Sequence, residues 1–135
     1  MKLVVDSNVL FTWFWEQSVF RRLLKAGLPE LVAPAFALNE IKKYEKHIRA
    51  KTKRSSESFS TLLEELRKNV RFVEQSEYAK ERKRAEKQSP DVNDSEFFAV
   101  ALHFQCPLWS NDAELKKQTL CNVLNTPELI EILHG

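Results

Sequence analysis

Short apolar runs alternate with amphipathic stretches along this chain. Leu3 to Val5 is a continuous apolar run after Lys2, which is typical of a strand buried on both faces of a parallel sheet. Further short runs predict strands at 31–33, 70–73, 107–110 and 120–124. Strands are therefore expected at intervals from one end of the chain to the other.

Helical periodicity fills the intervals between the predicted strands. One helix is expected to end near Lys25 with Gly27 as its stop, and another to begin with Pro34 at its first position. The inward stripe of this second helix is predicted at Ala37, Ile41, Tyr44 and Ile48. Further helices are expected around 59–66, 94–102 and 126–133, the last capped by Thr126-Pro127. The alternation predicts an α/β fold: a three-layer α/β/α sandwich with a central, mainly parallel sheet of roughly five strands.

An aromatic cluster lies between the first two predicted strands, at Phe11, Trp13, Phe14, Trp15 and Phe20. We expect these rings to belong to the core or to a dimer face rather than to a base-stacking platform.

The stretch Pro90 to Ala101 places acids at the start of an apolar helix. Asn93 followed by Glu96 has the form of a helix N-cap with its reciprocal partner. Asp94 is then expected in the first turn, on the buried side of the helix. Taken alone, Asp94 is equally consistent with a helix-capping role and with a functional one.

Length and composition set the class of protein. A chain of 135 residues with 43% hydrophobic residues suits a single domain over 1–135. No apolar run approaches the roughly 20 residues of a membrane span, and Asp6 interrupts the first run too early for a secretion signal. The two cysteines, Cys106 and Cys121, are expected to be reduced thiols. A cytoplasmic location is therefore expected.

Four acids are predicted to meet at one edge of the sheet. Asp6 and Asp112 follow strands, whereas Glu40 and Asp94 begin helices that start from the same edge. Two unit charges ~4 Å apart repel by about 4 kcal/mol near a protein surface, so a cation is needed to offset the cluster. Carboxylates suit Mg²⁺ or Mn²⁺, and the scattered histidines do not suggest zinc. Such a site can activate water for attack on a phosphodiester.

A local basic surface accompanies these acids. Within 42–54, only Glu45 opposes a run of lysines and arginines, of which Lys42, Lys43, Lys46 and Arg49 are the nearest to the predicted site. Such a surface could hold a nucleic-acid backbone. Acids and basic surface together indicate a metal-dependent nuclease.

The sequence resembles the PIN-domain family of metal-dependent ribonucleases, which includes toxins of prokaryotic toxin–antitoxin pairs. The matching motifs are VVDSN at 4–8, Glu40, the Asp94, Ala99 and Ala101 pattern, and WSND at 109–112. The resemblance implies that Asp6, Glu40, Asp94 and Asp112 bind the metal and activate water, supported by Asn8 and Ser110. It also implies an RNA substrate, an antitoxin protein as partner and a homodimer. Asp91, one turn before Asp94, is a further candidate ligand.

Two alternatives stay open at this point. An aspartyl phosphatase would commonly carry a second Asp two residues after Asp6, where this chain has Asn8, which cannot donate a proton in that role. The other alternative is a catalytically silent PIN-fold module that binds RNA or assembles with a partner.

Overall fold

A parallel sheet lies at the centre of the molecule. The structure is a computed structural model that describes residues 1–89, 91 and 94–134. Within these residues the strands are β1 (Lys2–Val5), β2 (Glu30–Pro34), β3 (Val70–Val73), β4 (Leu108–Trp109) and β5 (Val123–Leu124). Their order is β3-β2-β1-β4-β5, and every neighbouring pair is parallel.

Helices connect the strands and cover the sheet. They are α1 (Ser7–Phe11), α2 (Val19–Gly27), α3 (Ala35–Lys43), α4 (Glu45–Thr52), α5 (Ser56–Asn69), α6 (Ala79–Gln88), α7 (Ser95–Phe104) and α8 (Thr126–His134). Short 3₁₀ helices occupy Thr12–Phe14, Gln75–Glu77 and Ala113–Lys117. Leu3, Val4 and Val5 are all fully buried, although successive side chains of a strand point to opposite faces. Both faces of the sheet are therefore covered, which confirms the predicted α/β/α sandwich.

The direction in which the chain adds strands reverses between β1 and β4. The chain builds β1, β2 and β3 toward one edge and then returns to place β4 on the other side of β1. Val5 pairs with Trp109, and the backbone N–H of Asp6 donates to Trp109 O over 3.0 Å. In open α/β sheets this reversal leaves a crevice at the carboxyl ends of the strands, where ligands bind. The residues that follow β1 and β4 therefore face the same crevice.

Helix α7 is the most buried helix beside this crevice. Its residues Phe98, Ala99 and Val100 are fully buried, and the helix packs against α6 and against strands β1, β2 and β4. It is the helix predicted from the apolar run after Asp94. Among the described residues, no helix combines the length and apolar character needed to cross a membrane.

The predicted helix through Ala37, Ile41, Tyr44 and Ile48 is interrupted. Tyr44 has φ −95° and ψ 16°, and this backbone ends α3 and starts α4. The break turns the Tyr44 side chain outward: it is 44% exposed and makes an edge-to-face contact with Phe11. The inward position predicted for Tyr44 is therefore wrong, whereas the other three residues of the stripe are buried.

The aromatic cluster divides into buried and exposed members. Trp13, Phe14 and Phe20 belong to the core, and Trp13 Nε1 donates to Leu62 O over 2.8 Å. Trp15 is 38% exposed. The core position, one of the two predicted alternatives, is therefore found for Trp13, Phe14 and Phe20, and the predicted homodimer is supported only by the family resemblance.

The predicted end of α2 and the predicted starts of α3 and α8 lie within about two residues of the observed ones, whereas α5 extends three residues beyond the predicted range 59–66 at each end. Gly27 ends α2 with φ +104°, a conformation that glycine adopts without strain. Pro34 is the N-cap of α3 rather than its first residue. For α8, Asn125 and Glu128 form the reciprocal cap through hydrogen bonds of 2.9 Å each, so Thr126 is not the capping residue.

Both cysteines are free thiols, as predicted. Burial raises the pKa of Cys121 to about 12, and the neighbouring Cys106 adds to this rise. Cys121 is therefore a protonated, unreactive thiol at neutral pH.

Candidate active site

Asp6 is the most buried acid at the crevice. It follows β1, is only 5% exposed and caps α1 through Oδ1, which accepts the Ser7 N–H over 2.9 Å. Its Oδ2 accepts the Ser110 hydroxyl over 2.7 Å. Burial raises the pKa of Asp6, the two hydrogen bonds oppose this rise, and Asp112 adds a smaller upward effect. The carboxylate is thus fixed in orientation at the bottom of the crevice.

Ser110 links the ends of β1 and β4. Its buried hydroxyl donates to Asp6 and accepts the backbone N–H of Asp112 over 3.1 Å. Asp112 is exposed and begins the 3₁₀ helix 113–117, with Oδ1 accepting the Glu114 N–H over 3.0 Å. The short helical turn predicted after Asp112 is therefore present, and the Ser110 hydroxyl ties the two acids together.

Asp94 faces the same crevice from the start of α7. It is the N-cap residue by position, but its side chain makes no capping hydrogen bond. Burial raises its pKa to about 6, and repulsion from Asp6, Asp91 and Asp112 contributes to the rise. These electrostatic couplings show that the acids from β1, β4 and α7 share one region.

Glu96, the predicted reciprocal partner in the cap of α7, bonds to side chains of other elements. Asn93 lies outside the described residues, so its part in the cap stays a prediction. Glu96 Oε1 accepts from Gln75 Nε2 over 3.0 Å and pairs with Arg82 Nη2 over 3.2 Å. Its carboxylate therefore connects α7 to α6 and to the 3₁₀ helix 75–77.

Glu40 approaches from α3 and is half-buried. Burial raises its pKa, Lys43 opposes the rise and Asp6 adds to it. Glu40 is therefore coupled both to the acids of the crevice and to the first lysines of the basic segment.

Two further candidates near the acids, Asp91 and Asn8, are exposed, whereas Ser110 is buried. Asp91 is exposed, and its backbone carbonyl accepts the Asp94 N–H over 3.0 Å. Asn8 is also exposed, and it lines a neighbouring cavity instead of contacting Asp6 in the described structure. The supporting role of Asn8 and the ligand role of Asp91 stay predictions.

The basic segment is exposed at Lys42, Lys43 and Lys46. Arg49 is partly engaged within the protein, because it pairs with Glu45 over 3.5 Å and donates to the Arg54 carbonyl over 3.3 Å. Of the four residues predicted to bind nucleic acid, the three lysines are thus the more accessible.

The donor chemistry of the crevice fits a hard divalent cation. The side chains there are carboxylates, and the pKa values of Asp6, Asp94 and Glu40 are all raised. Among the described residues, no three His, Cys, Asp or Glu side chains converge as a ready-made metal cage. Mg²⁺ needs no such cage, because it keeps several waters and uses one or two carboxylates together with substrate phosphate oxygens.

Sequence reasoning missed the exposed Trp15 and the Arg82–Glu96 pair. Arg82 lies in a stretch of mixed charge, 80–87, whose local pattern indicates a solvated helix surface. The pairing of Arg82 with Glu96 depends on the packing of α6 against α7, which no local pattern records.

The fold and the acids define an α/β protein with a carboxylate site at the point where the strand order reverses. The sequence matches the family model described as PIN domain over residues 4–128. The chain therefore belongs to the PIN domain family.

Comparison with solved structures supports the fold. A chain of the crystal structure of VapBC2 from Rickettsia felis, bound to a DNA fragment from their promoter, superposes with a TM-score of 0.64. The match covers 93% of this chain and 98% of that chain at 14% sequence identity. No curated protein matches the sequence.

Proposed function

We propose that this protein is a Mg²⁺- or Mn²⁺-dependent endoribonuclease that hydrolyses RNA phosphodiester bonds. The observation that carries the proposal is that Asp6 and Asp112 follow adjacent strands and are linked by the Ser110 hydroxyl, with Asp94 close enough for all three charges to interact. Membership of the PIN domain family gives this carboxylate site its context.

The proposed ligands are Asp6, Glu40, Asp94 and Asp112, with Asp91 as a further candidate. A bound divalent cation would neutralise charge on the phosphate and lower the pKa of a water for attack on phosphorus. Ser7 and Ser110 hold the carboxylate of Asp6 through hydrogen bonds to both oxygens, so that its orientation is set before substrate arrives. The exposed Lys42, Lys43 and Lys46 are suited to the phosphates of the RNA on either side of the cleaved bond.

The substitution Asp6→Asn tests the proposal. Loss of this charge should lower Mn²⁺-dependent cleavage of single-stranded RNA by at least about 10²-fold, because the carboxylate is buried and cannot be replaced by a neighbour. The measurement is the rate of product formation with Mn²⁺, with Mg²⁺ and with chelator.

Glu30→Gln is the matched control for this experiment. Glu30 is an exposed acid at the opposite end of the sheet, paired with Lys2 over 3.1 Å, and its loss should leave cleavage unchanged. Equal cleavage by wild type and Asp6→Asn, or full activity in chelator, would contradict the proposal. Binding of RNA without any cleavage would favour the alternative of a catalytically silent module.

We further propose that the chain acts as the toxin of a toxin–antitoxin pair and as a homodimer. The similarity of fold to the VapBC2 chain and the PIN family membership support the toxin role, and the family resemblance alone supports the homodimer. Expression of the chain should arrest growth, and co-expression of a small antitoxin encoded beside its gene should relieve the arrest. Arrest that persists with Asp6→Asn would contradict a toxic nuclease.

A further inference from the structure

A cavity lies beside the crevice that holds the acids. Its volume is about 550 Å³, and it lies between α1, the segment 12–20 and the residues that follow β4. Asn8, two residues after Asp6, and Asn111, between Ser110 and Asp112, both line it. A molecule in this cavity would therefore adjoin whatever occupies the carboxylate site.

The lining of this cavity is uncharged and largely apolar. Trp15 and Val19, which are 38% and 36% exposed, are among the lining residues, as are the buried rings of Phe20 and Trp109. These two rings contact each other edge to face, with centroids 5.3 Å apart. The lining therefore combines two buried aromatic rings that pack against each other with the exposed indole of Trp15.

Two arginines fix the segment that carries Trp15. Arg21 Nη2 donates to the carbonyl oxygen of Trp15, and Arg54 Nε donates to that of Phe14 over 2.6 Å. The Ser18 hydroxyl also caps α2 by accepting the Arg21 N–H. The backbone at Trp15 is therefore held by hydrogen bonds, so less conformational entropy is lost when a ligand stacks on the ring.

Polar groups lie at the side of the cavity that adjoins the acids. Asn111 Oδ1 accepts the Thr126 N–H over 2.8 Å, which orients the amide and leaves its Nδ2 as a donor. The Thr126 hydroxyl accepts from Trp109 Nε1 over 3.0 Å and keeps its own proton to donate. The cavity therefore offers flat apolar contacts together with donors at one edge.

We propose that this cavity binds a nucleobase of the RNA, next to the phosphate that is cleaved. Unpaired bases present an aromatic face for stacking and a polar edge for hydrogen bonds, and proteins recognise them with aromatic and amide side chains. No Lys or Arg belongs to the described lining, which favours a base over a phosphate in this cavity. Another cavity, of about 480 Å³, has Glu74, Arg82, Glu86 and Glu96 in its lining and is less suited to a stacked base. The inference rests on the proposed nuclease function and adds a base-specific contact to it.

Trp15→Ala tests the proposal by removing the accessible ring. Stacking of one base predicts a loss of about 5- to 100-fold in kcat/KM for single-stranded RNA. Trp15→Phe should recover most of this loss because it restores a ring. Ile132→Ala, which shortens a 54% exposed side chain on α8, is the matched control and should have no effect.

An abasic scan of the RNA separates stacking from an indirect structural effect. At one nucleotide beside the cleaved bond, removal of the base should lower kcat/KM by the same factor as Trp15→Ala does. With that abasic RNA, Trp15→Ala should cause no further loss, because the two changes remove one contact. Equal activity of wild type and Trp15→Ala, or additive losses from the two changes, would overturn the base site.

Binding can be followed without cleavage in the Asp6→Asn protein. Trp15 and Trp109 both line the cavity, so a short RNA should quench the tryptophan fluorescence, and the abasic RNA should not. This quenching in the absence of any wild-type cleavage would retain the base site and reject the nuclease function. Quenching by an apolar helical peptide but not by RNA would overturn the base site in favour of a protein partner.

Discussion

Asp94 combines partial burial with negative neighbours and has no capping hydrogen bond. Burial and repulsion raise its pKa to about 6 from an ordinary value of 3.8. The native state therefore binds a proton more tightly than the unfolded state between these two values. Stability of the metal-free protein should fall as pH rises through this window, because the unfolded state releases the proton first.

Asp94→Asn removes the charge that causes this loss. At pH 7 in chelator we expect the variant to be more stable by on the order of 1 kcal/mol, after allowance for solvent screening of a partly exposed carboxyl. The corresponding rise in melting temperature is a few degrees, about 3–5 °C. The same variant should lose cation-dependent RNA cleavage. Thermal melts and cleavage assays measure the two effects.

The pH dependence provides the control for this prediction. Below about pH 3 both states hold the proton, so the stability difference between Asp94→Asn and wild type should disappear. Glu131→Gln, at an exposed position of α8, should not change the melting temperature at either pH. A lower melting temperature for Asp94→Asn at pH 7 in chelator would contradict a crowded carboxylate site.

At the scale of elements, the position of α7 depends on its contact with α6. Glu96 in the first turn of α7 pairs with Arg82 of α6, and the Glu96 side chain is only 17% exposed. Because Asp94 lies directly before this turn, the pair also helps to place an acid of the site.

Arg82→Ala should therefore destabilise the protein by about 1–2 kcal/mol, because it removes the cationic partner of a mostly buried carboxylate. Urea denaturation measures the change. Arg67→Ala is the matched control: Arg67 pairs with Glu64 over 3.6 Å on α5, and both side chains are about half exposed or more. Such surface pairs contribute about 0–1 kcal/mol. Equal losses for the two variants would show that the α6–α7 pair has no special role.

At the scale of the whole molecule, acids and lysines occupy neighbouring surfaces with opposite effects on RNA. The acids repel phosphate unless a cation is present, whereas Lys42, Lys43 and Lys46 attract it. Affinity for RNA should therefore depend strongly on both divalent cation and salt.

Lys46→Ala tests the basic surface. If Lys46 contacts one phosphate, the slope of log affinity against log salt should become less steep by about 0.7, the value for a single-stranded contact. Lys117→Ala is the control, because Lys117 is exposed on the 3₁₀ helix 113–117 and pairs with Glu114 over 2.8 Å. The measurement is fluorescence anisotropy of a labelled RNA in the Asp6→Asn protein at several salt concentrations. An unchanged slope for Lys46→Ala would remove Lys46 from the RNA surface.

Predictions from the sequence were most successful where local pattern is sufficient. The apolar run before Asp6 predicts a buried strand and the apolar residues after Asp94 predict a helix, and both elements are present. They failed at Tyr44, because helical periodicity continues through it and gives no sign of the break between α3 and α4. They also did not predict that Trp15 is exposed while Trp13 and Phe14 are buried, since neighbouring aromatic residues have the same hydrophobic pattern in sequence.

The sequence alone determined the alternation of strands and helices, and with it the placement of Asp6 and Asp112 after strands and of Asp94 at the start of a helix. Local hydrophobic period and capping preferences are properties of neighbouring residues, so they can be read along the chain. Only the tertiary structure decided that β4 lies beside β1. That pairing brings Ser110 onto the carboxylate of Asp6 across more than a hundred residues of chain, and it opens a cavity lined by Trp15 and Asn111 beside the acids. Strand order follows from the packing of the whole core, which no local segment contains.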